Sequence, residues 1–220
     1  MALALQIADS GFPSGAFAFS WGLERLARDG LVGRDGVSAW IAHELEYRWA
    51  PFDRAITAKA HGAYHGADPA SLTALDAEVE ASLWPTPARE GSRRAGQGLL
   101  AAVARLGLLA DHPYARAVTE GQSPGHLSVA EGVVWASLGL TRTEALTAAG
   151  TTMLARLCSA AVRLNLLGAL AAQRLRADLA PRVARLAEAA PETPSIAPSL
   201  TEIALMRHTS APDAARLFAN

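Results

Sequence analysis

Apolar residues recur every three or four positions through most of the chain, and no run of five or six alternates polar with apolar between turns; the pattern predicts helices and no sheet. The opening LALQIADS reads as a helix, the Gly- and Pro-bearing GFPSGAF as a turn, and FSWGLERLARDG as a second helix ending at Gly30. Gly36 introduces a third, from about Val37 through Trp49 and past Pro51 to Tyr64. Asp68 and Pro69 form a cap and a first-turn proline, and the helix they start runs to the PTP break at 85–87. Another opens at 88–90 and continues to Leu109, and ARAVTE before Gly121 is helical in character. Two capping boxes, Ser128 with Glu131 and Thr141 with Glu144, predict further starts. From Thr141, the positions Leu146, Ala149, Met153, Leu157, Ala160, Leu164, Leu167 and Ala171 form one apolar stripe. It predicts a central helix over about residues 141–180, with Leu157 and Leu164 buried and a kink near Pro181. The Pro-rich PETPSIAP divides a helical domain, residues 1–198, from a short helix and tail at 199–220. The fold class is all-α, a single-domain bundle around one long helix.

Composition narrows the function. Half of the 220 residues are hydrophobic and 19% are charged, enough for a large core in one domain. The uncharged stretch Ala145–Ala155 falls short of the roughly 18–20 apolar residues that span a bilayer, which predicts no membrane helix. The N-terminal segment carries Asp9 and no basic leader, so the expectation is a cytoplasmic protein without a signal peptide. Lys59 is the only lysine, which excludes a Walker A loop and Schiff-base chemistry. A net charge of −1 argues against nucleic acid as a partner. Cys158 is the single cysteine; no disulfide or CxxC motif is available, and its apolar surroundings predict a buried thiol.

The candidate chemistry is thin. Gly121-Gln122-Ser123-Pro124-Gly125 matches GxSxG and is followed by His126, but a nucleophile elbow needs a strand before its serine, and ARAVTE is helical. The segment therefore reads as a turn, with a serine hydrolase as the competing class. His61 and His65 stand at metal-ligand spacing in HGAYH, yet no glutamate lies between them, and a solvated pair is expected. His43, Glu44 and Glu46 read as the charged face of an amphipathic helix. No catalytic residue, cofactor site or metal site is predicted.

Three segments carry more than a core requires. LQIADSGFPSGAFAFSWGLE, residues 5–24, gathers Phe12, Phe17, Phe19 and Trp21 around a Gly-Pro-Ser-Gly turn. In REGSRRAGQGLL, residues 89–100, three arginines crowd one turn, and Gly91, Gly96 and Gly98 would let another backbone approach closely. MRHTSAPDAARLFAN sets Arg207, His208 and Arg216 before a Leu217-Phe218 pair, an arrangement suited to ordering on a partner.

These segments, with PGHLSVAEGVVWASLGL and AAVRLNLLGALAAQRLRADL, resemble in order the UreF family of urease accessory proteins. The likeness departs from the family pattern at Ala16, Phe19, Ser128 and Thr209, and Phe19 stands where the family usually has a histidine. The resemblance implies a non-catalytic helical adaptor that bridges a UreD/UreH-like protein and the GTPase UreG during nickel insertion into apo-urease, working as a homodimer. Carried onto this chain, it implies partner-binding roles for Pro13, Gly15, Phe17, Ser20 and Glu24 in the first segment. Arg89, Arg93, Gln97 and His126 follow from the middle of the chain, and Arg207, His208, Arg216, Leu217 and Phe218 from its end. A helical structural protein unrelated to urease is the remaining alternative.

Overall fold

The structure, a computed structural model, describes residues 2–9, 11–16, 19–65, 69–189 and 193–195, and all regular secondary structure among them is helical. Short helices α1 (Ala2–Ala8) and α2 (Leu23–Arg28) precede α3 (Val37–Glu44), which passes through a π-helical segment, Leu45–Asp53, into α4 (Arg54–His65). Then come α5 (Pro69–Ser82), α6 (Thr86–Arg105), α7 (Pro113–Thr119), α8 (Leu127–Ser137), α9 (Arg142–Arg163) and α10 (Ala169–Glu188).

The expected helix from Val37 past Pro51 is present, and the π segment explains how it survives its proline. A proline ring clashes with the carbonyl four residues back in an α-helix, and the wider π turn relieves that clash. Arg54 secures the far end: its buried guanidinium donates to the Ala50 carbonyl at 2.9 Å and to the Leu186 and Ala189 carbonyls at 2.7 and 3.1 Å, neutralising the C-terminal end of α10. Beyond α10, the Ser195 amide donates to the Pro51 carbonyl at 3.1 Å.

The centre of the bundle differs from the expectation. Residues Leu127 through Ala136 of α8 are all buried, and α8 packs against α4, α6 and α9, as an all-round apolar helix must. The predicted helix over 141–180 is two helices. α9 stops at Arg163 because Asn165 adopts a left-handed conformation (φ 57°) and closes a Schellman motif: the Leu166 amide donates to Ala161 at 2.9 Å and the Asn165 amide to Val162 at 3.0 Å. α10 then folds back along α9, bringing Val183 beside Gly150, and runs through Pro181 to Glu188. The apolar stripe holds as far as Ala160; Leu157 is buried, whereas Leu164 caps the end of α9 and is only partly covered.

Of the two expected capping boxes, Thr141–Glu144 forms, with the Thr141 amide donating to Glu144 Oε2 at 2.8 Å. The Ser128–Glu131 box does not, because His126 is the N-cap of α8 and Glu131 is drawn to Arg156 at 2.7 Å. Among the described residues, α9 alone is long and apolar enough to cross a membrane, although the interruption-based reading excluded such a helix; most of it is buried in the bundle. Cys158, on its inward face, has its thiol pushed up to about 11 by burial.

Candidate functional site

Asp76 sits in α5 in register with Leu72, Leu75 and Val79, the inward face of that helix, and is fully buried. A buried carboxylate is tolerated only when donors surround it. Here they come from the turn between α7 and α8: the Ser123 hydroxyl and the Gly125 amide each donate to Asp76 Oδ2 at 2.6 Å, and the His126 amide donates to Oδ1 at 2.8 Å. Asp76 thus fixes the turn that starts the central helix. Burial and the Asp76 charge hold the nearby Tyr114 hydroxyl well above its ordinary value.

One turn further along α5, Glu80 completes the arrangement. Arg93 of α6 grips its carboxylate with two guanidinium nitrogens, Arg89 lies 3.5 Å from Oε1, and His126 Nε2 lies 2.9 Å from Oε2. Burial raises the Glu80 pKa, but the hydrogen bonds from Arg93 and His126 outweigh it and leave the carboxyl below its ordinary value. On the other edge of the imidazole, Nδ1 is 3.1 Å from the Ser92 hydroxyl, which also accepts from the Leu127 amide at 3.3 Å. Ser92 therefore has its own proton to give to Nδ1, and Nε2–H points at Glu80, a neutral tautomer with both nitrogens satisfied. Gln97, one turn beyond Arg93, donates to the Pro124 carbonyl at 2.8 Å.

Close backbone approach makes this geometry possible. A methyl group on Gly96 would stand 2.2 Å from the Gly125 carbonyl oxygen, so the 121–126 turn lies directly on α6. Two residues on, a methyl group on Gly98 would stand 2.2 Å from the Ser14 carbonyl oxygen, because the N-terminal turn rests on the same helix. The expectation that the α6 glycines receive other backbones holds at Gly96 and Gly98, and both backbones belong to this chain; Gly91 instead faces the Phe19 ring.

Arg89, Arg93, Gln97 and His126 meet in this one network, beside the turn holding Pro13 and Gly15, which are exposed. Two residues are corrected as direct contacts: Ser20 and His126 are fully buried and can act on a partner only by shaping what surrounds them. Glu24 lies partly covered in the first turn of α2, 3.6 Å from Arg28. Phe17, Arg207, His208, Arg216, Leu217 and Phe218 lie outside the described residues.

The hydrolase reading loses its dyad, because Ser123 donates to Asp76 while His126 is committed to Ser92 and Glu80. His61 is not a solvated partner for His65; it is buried, with Nε2 2.8 Å from the Leu140 carbonyl. Glu44 is likewise buried rather than on a charged outer face, in the wall of a cleft of about 460 Å³ that also holds Arg48, Glu131 and Arg156. Burial lifts the Glu131 carboxyl above its ordinary value despite the Arg156 guanidinium beside it. Among the described residues, no group of three or more His, Cys, Asp or Glu side chains is placed to hold a metal ion.

The UreF family profile matches residues 31–180, a span that includes α3 through most of α10 and the whole Asp76–Glu80–His126 network. Among curated relatives, the urease accessory protein UreF of Arthrobacter sp. (strain FB24) is 35% identical over 216 residues, covering 92% of this chain and 90% of that protein. This chain belongs to the UreF family. The UreF protein of Methylobacterium radiotolerans is also 35% identical, over 82% of this chain and 78% of its own length. That of Cereibacter sphaeroides (strain ATCC 17023) is 34% identical over 90% and 88% respectively.

Acid should loosen this UreF fold through His126. Burial is the largest influence on the ring and holds its pKa below the ordinary value, against the raising effects of Asp76 and Glu80. The unfolded chain then binds the proton more readily than the native one, so stability is fully present above about pH 6.5 and falls as the pH drops below it. His112, held low by burial, titrates in the same direction. The difference between wild type and His126→Gln isolates the ring: urea unfolding at steps from pH 8 to 5 should show a shallower loss in the variant, and equal slopes would refute the assignment.

Proposed function

We propose that the protein is a non-catalytic adaptor in urease maturation, binding a UreD/UreH-like protein and a UreG-type GTPase while nickel is delivered to apo-urease. The observation that carries this reading is the likeness to urease accessory proteins UreF across nearly the whole chain. The site supports it in kind: the side chains that looked reactive, Ser123, His126 and Cys158, serve packing or hold a turn, and the arginines of α6 remain partly exposed. Nickel is cargo of the assembly rather than a resident cofactor. The protein acts in the cytoplasm, as a homodimer whose apolar helix faces pair about a two-fold axis.

Co-purification of the full chain with its cognate UreD-like and UreG-like proteins tests the reading, together with urease activation in a host lacking its own UreF. Failure of both would overturn it. The C-terminal tail provides a sharper measurement. Thr209–Asn220 has too few apolar residues to fold alone, and Arg216 beside Leu217 and Phe218 is the combination of charge and apolar anchor found at interface hot spots. Arg216→Ala and Phe218→Ala are expected to weaken the complex at least about tenfold while leaving the melting temperature unchanged. Lower melting with intact binding would place Phe218 in the protein's own core instead.

A further inference from the structure

We infer that the corner between α5 and α6, built around Trp84, is a docking surface for a partner segment carrying a carboxylate next to a large apolar side chain. The inference rests on the adaptor reading and adds a surface and a recognition chemistry to it.

Trp84 is 79% exposed, the most exposed large hydrophobic side chain among those described. It stands between the end of α5 at Ser82 and the start of α6 at Thr86, where Pro85 is buried and Pro87 occupies the first turn of α6. Two prolines restrict the backbone on which the indole is displayed, and a tryptophan has only two side-chain torsions to fix, so docking orders little that is not already ordered. An indole left in water gains nothing for the isolated fold.

The charge beside it selects the partner. The single carboxylate of Glu80 faces two guanidinium groups, those of Arg93, which grips it, and Arg89, which lies 3.5 Å away. The imidazole on its other oxygen is neutral near pH 7, since burial lowers the His126 pKa. At the exposed edge of the network one positive charge is therefore in surplus, since the other carboxylate, Asp76, is buried and taken up by three donors, and the Arg89 and Arg93 side chains retain 32% and 38% of their accessible surface. Arg89, the looser of the two on Glu80, can turn to an incoming carboxylate and make a charge-assisted pair without stripping Glu80 of Arg93. A second copy of this chain fits poorly, because a two-fold contact here would set the surplus positive charge against itself. A phosphate backbone fits poorly too, since one surplus charge on a protein of net charge −1 gives no basic track.

The test titrates wild type, Trp84→Ala, Arg89→Glu and Arg89→Lys separately against the cognate UreD-like and UreG-like proteins, with the equally prominent Leu170, 66% exposed, changed to Ala as a surface control. For one partner, Trp84→Ala and Arg89→Glu should each weaken binding at least about tenfold. Arg89→Lys should keep most of the affinity, Leu170→Ala should keep all of it, and added salt should weaken wild type more than Arg89→Glu. Trp84→Ala, Arg89→Lys and Leu170→Ala should melt within about a degree of wild type, while Arg89→Glu, which sets a second carboxylate beside Glu80, should melt somewhat lower but stay folded. Wild-type binding that survives both Trp84→Ala and Arg89→Glu within twofold overturns the surface. Loss with Trp84→Ala but not with Arg89→Glu overturns the acidic chemistry. Wild type that binds neither protein overturns the adaptor reading, and this surface falls with it.

Discussion

Gly96→Ala is expected to destabilise the fold by about 3 kcal/mol or more, at the upper end of what overpacking does. The added methyl would meet three backbone atoms: the Gly125 carbonyl oxygen at 2.2 Å, the His126 carbonyl carbon at 2.7 Å and the Leu127 amide nitrogen at 2.7 Å. None can rotate away as a side chain would. Moving them means lifting the N-terminus of α8, which carries ten consecutive buried residues, and with it the three hydrogen bonds to Asp76. For a chain of this size each kcal/mol shifts the melting temperature by about 2–4 °C, so a drop of about 6–12 °C or outright failure to fold is the expected reading. Gly98→Ala offers an internal comparison with an equally close contact, 2.2 Å from the Ser14 carbonyl oxygen. There the displaced backbone belongs to the N-terminal turn, which adds Ala16 to the edge of the core but carries none of the central helix. Its cost should appear as faster proteolysis or amide exchange before α2, with a much smaller change in global unfolding. Equal global losses from the two substitutions would contradict this division of labour.

The same helix shows how far the sequence is legible. Three-to-four spacing of apolar residues reports which face turns inward, and that was enough to expect an all-α bundle, the helix through Pro51 and the Thr141 cap. Spacing does not report where a helix stops while its apolar residues continue. The stripe ran past Arg163 because Leu164, Leu166 and Leu167 cover the end of the bundle from within a tight reversal. The stop signal was Asn165, a residue that tolerates left-handed backbone, followed by Gly168 at the start of α10. The centre was misjudged for a related reason. α8 is apolar on every side, so it has no stripe to read, and complete burial of a short helix can look like an unremarkable apolar run.

The candidate site divided along similar lines. Arg89 and Arg93 stood out as a crowded turn of arginines, Gln97 and His126 entered as partner-binding residues only through the family resemblance, and the structure brings these four together. Their organisers, Asp76, Glu80 and Ser92, did not stand out, because acids and serines are ordinary on helices. One mark was available: Asp76 occupies the inward register of α5 with Leu72, Leu75 and Val79, where a lone carboxylate requires donors from elsewhere in the chain. Which donors those are depends on contacts about 50 residues away in sequence, and periodicity carries no information on that.

Asp76→Ala should therefore be among the most damaging single changes in the protein, at about 3–5 kcal/mol. Hydrogen bonds to a charged group are worth about 1.5–3 kcal/mol each, they act here as one unit, and the substitution leaves a hydroxyl and two amides buried without an acceptor. Asp76→Asn should recover part of the loss, because its carbonyl oxygen can still accept while its NH₂ group meets a donor. Ser123→Ala removes a single donor and leaves the carboxylate with both amides, so about 1–2 kcal/mol is expected. The order Asp76→Ala, Asp76→Asn, Ser123→Ala in decreasing cost is the first check, read by urea unfolding at pH 7.5. A second check reports on charge rather than stability. Part of what holds the Tyr114 hydroxyl above its ordinary pKa is the Asp76 carboxylate, behind the larger effect of burial. In Asp76→Asn, which keeps the side chain's shape and removes its charge, ultraviolet titration should show Tyr114 ionising at lower pH than in wild type while remaining above an exposed tyrosine. An unchanged Tyr114 in a folded Asp76→Asn variant would contradict the contribution of the Asp76 carboxylate.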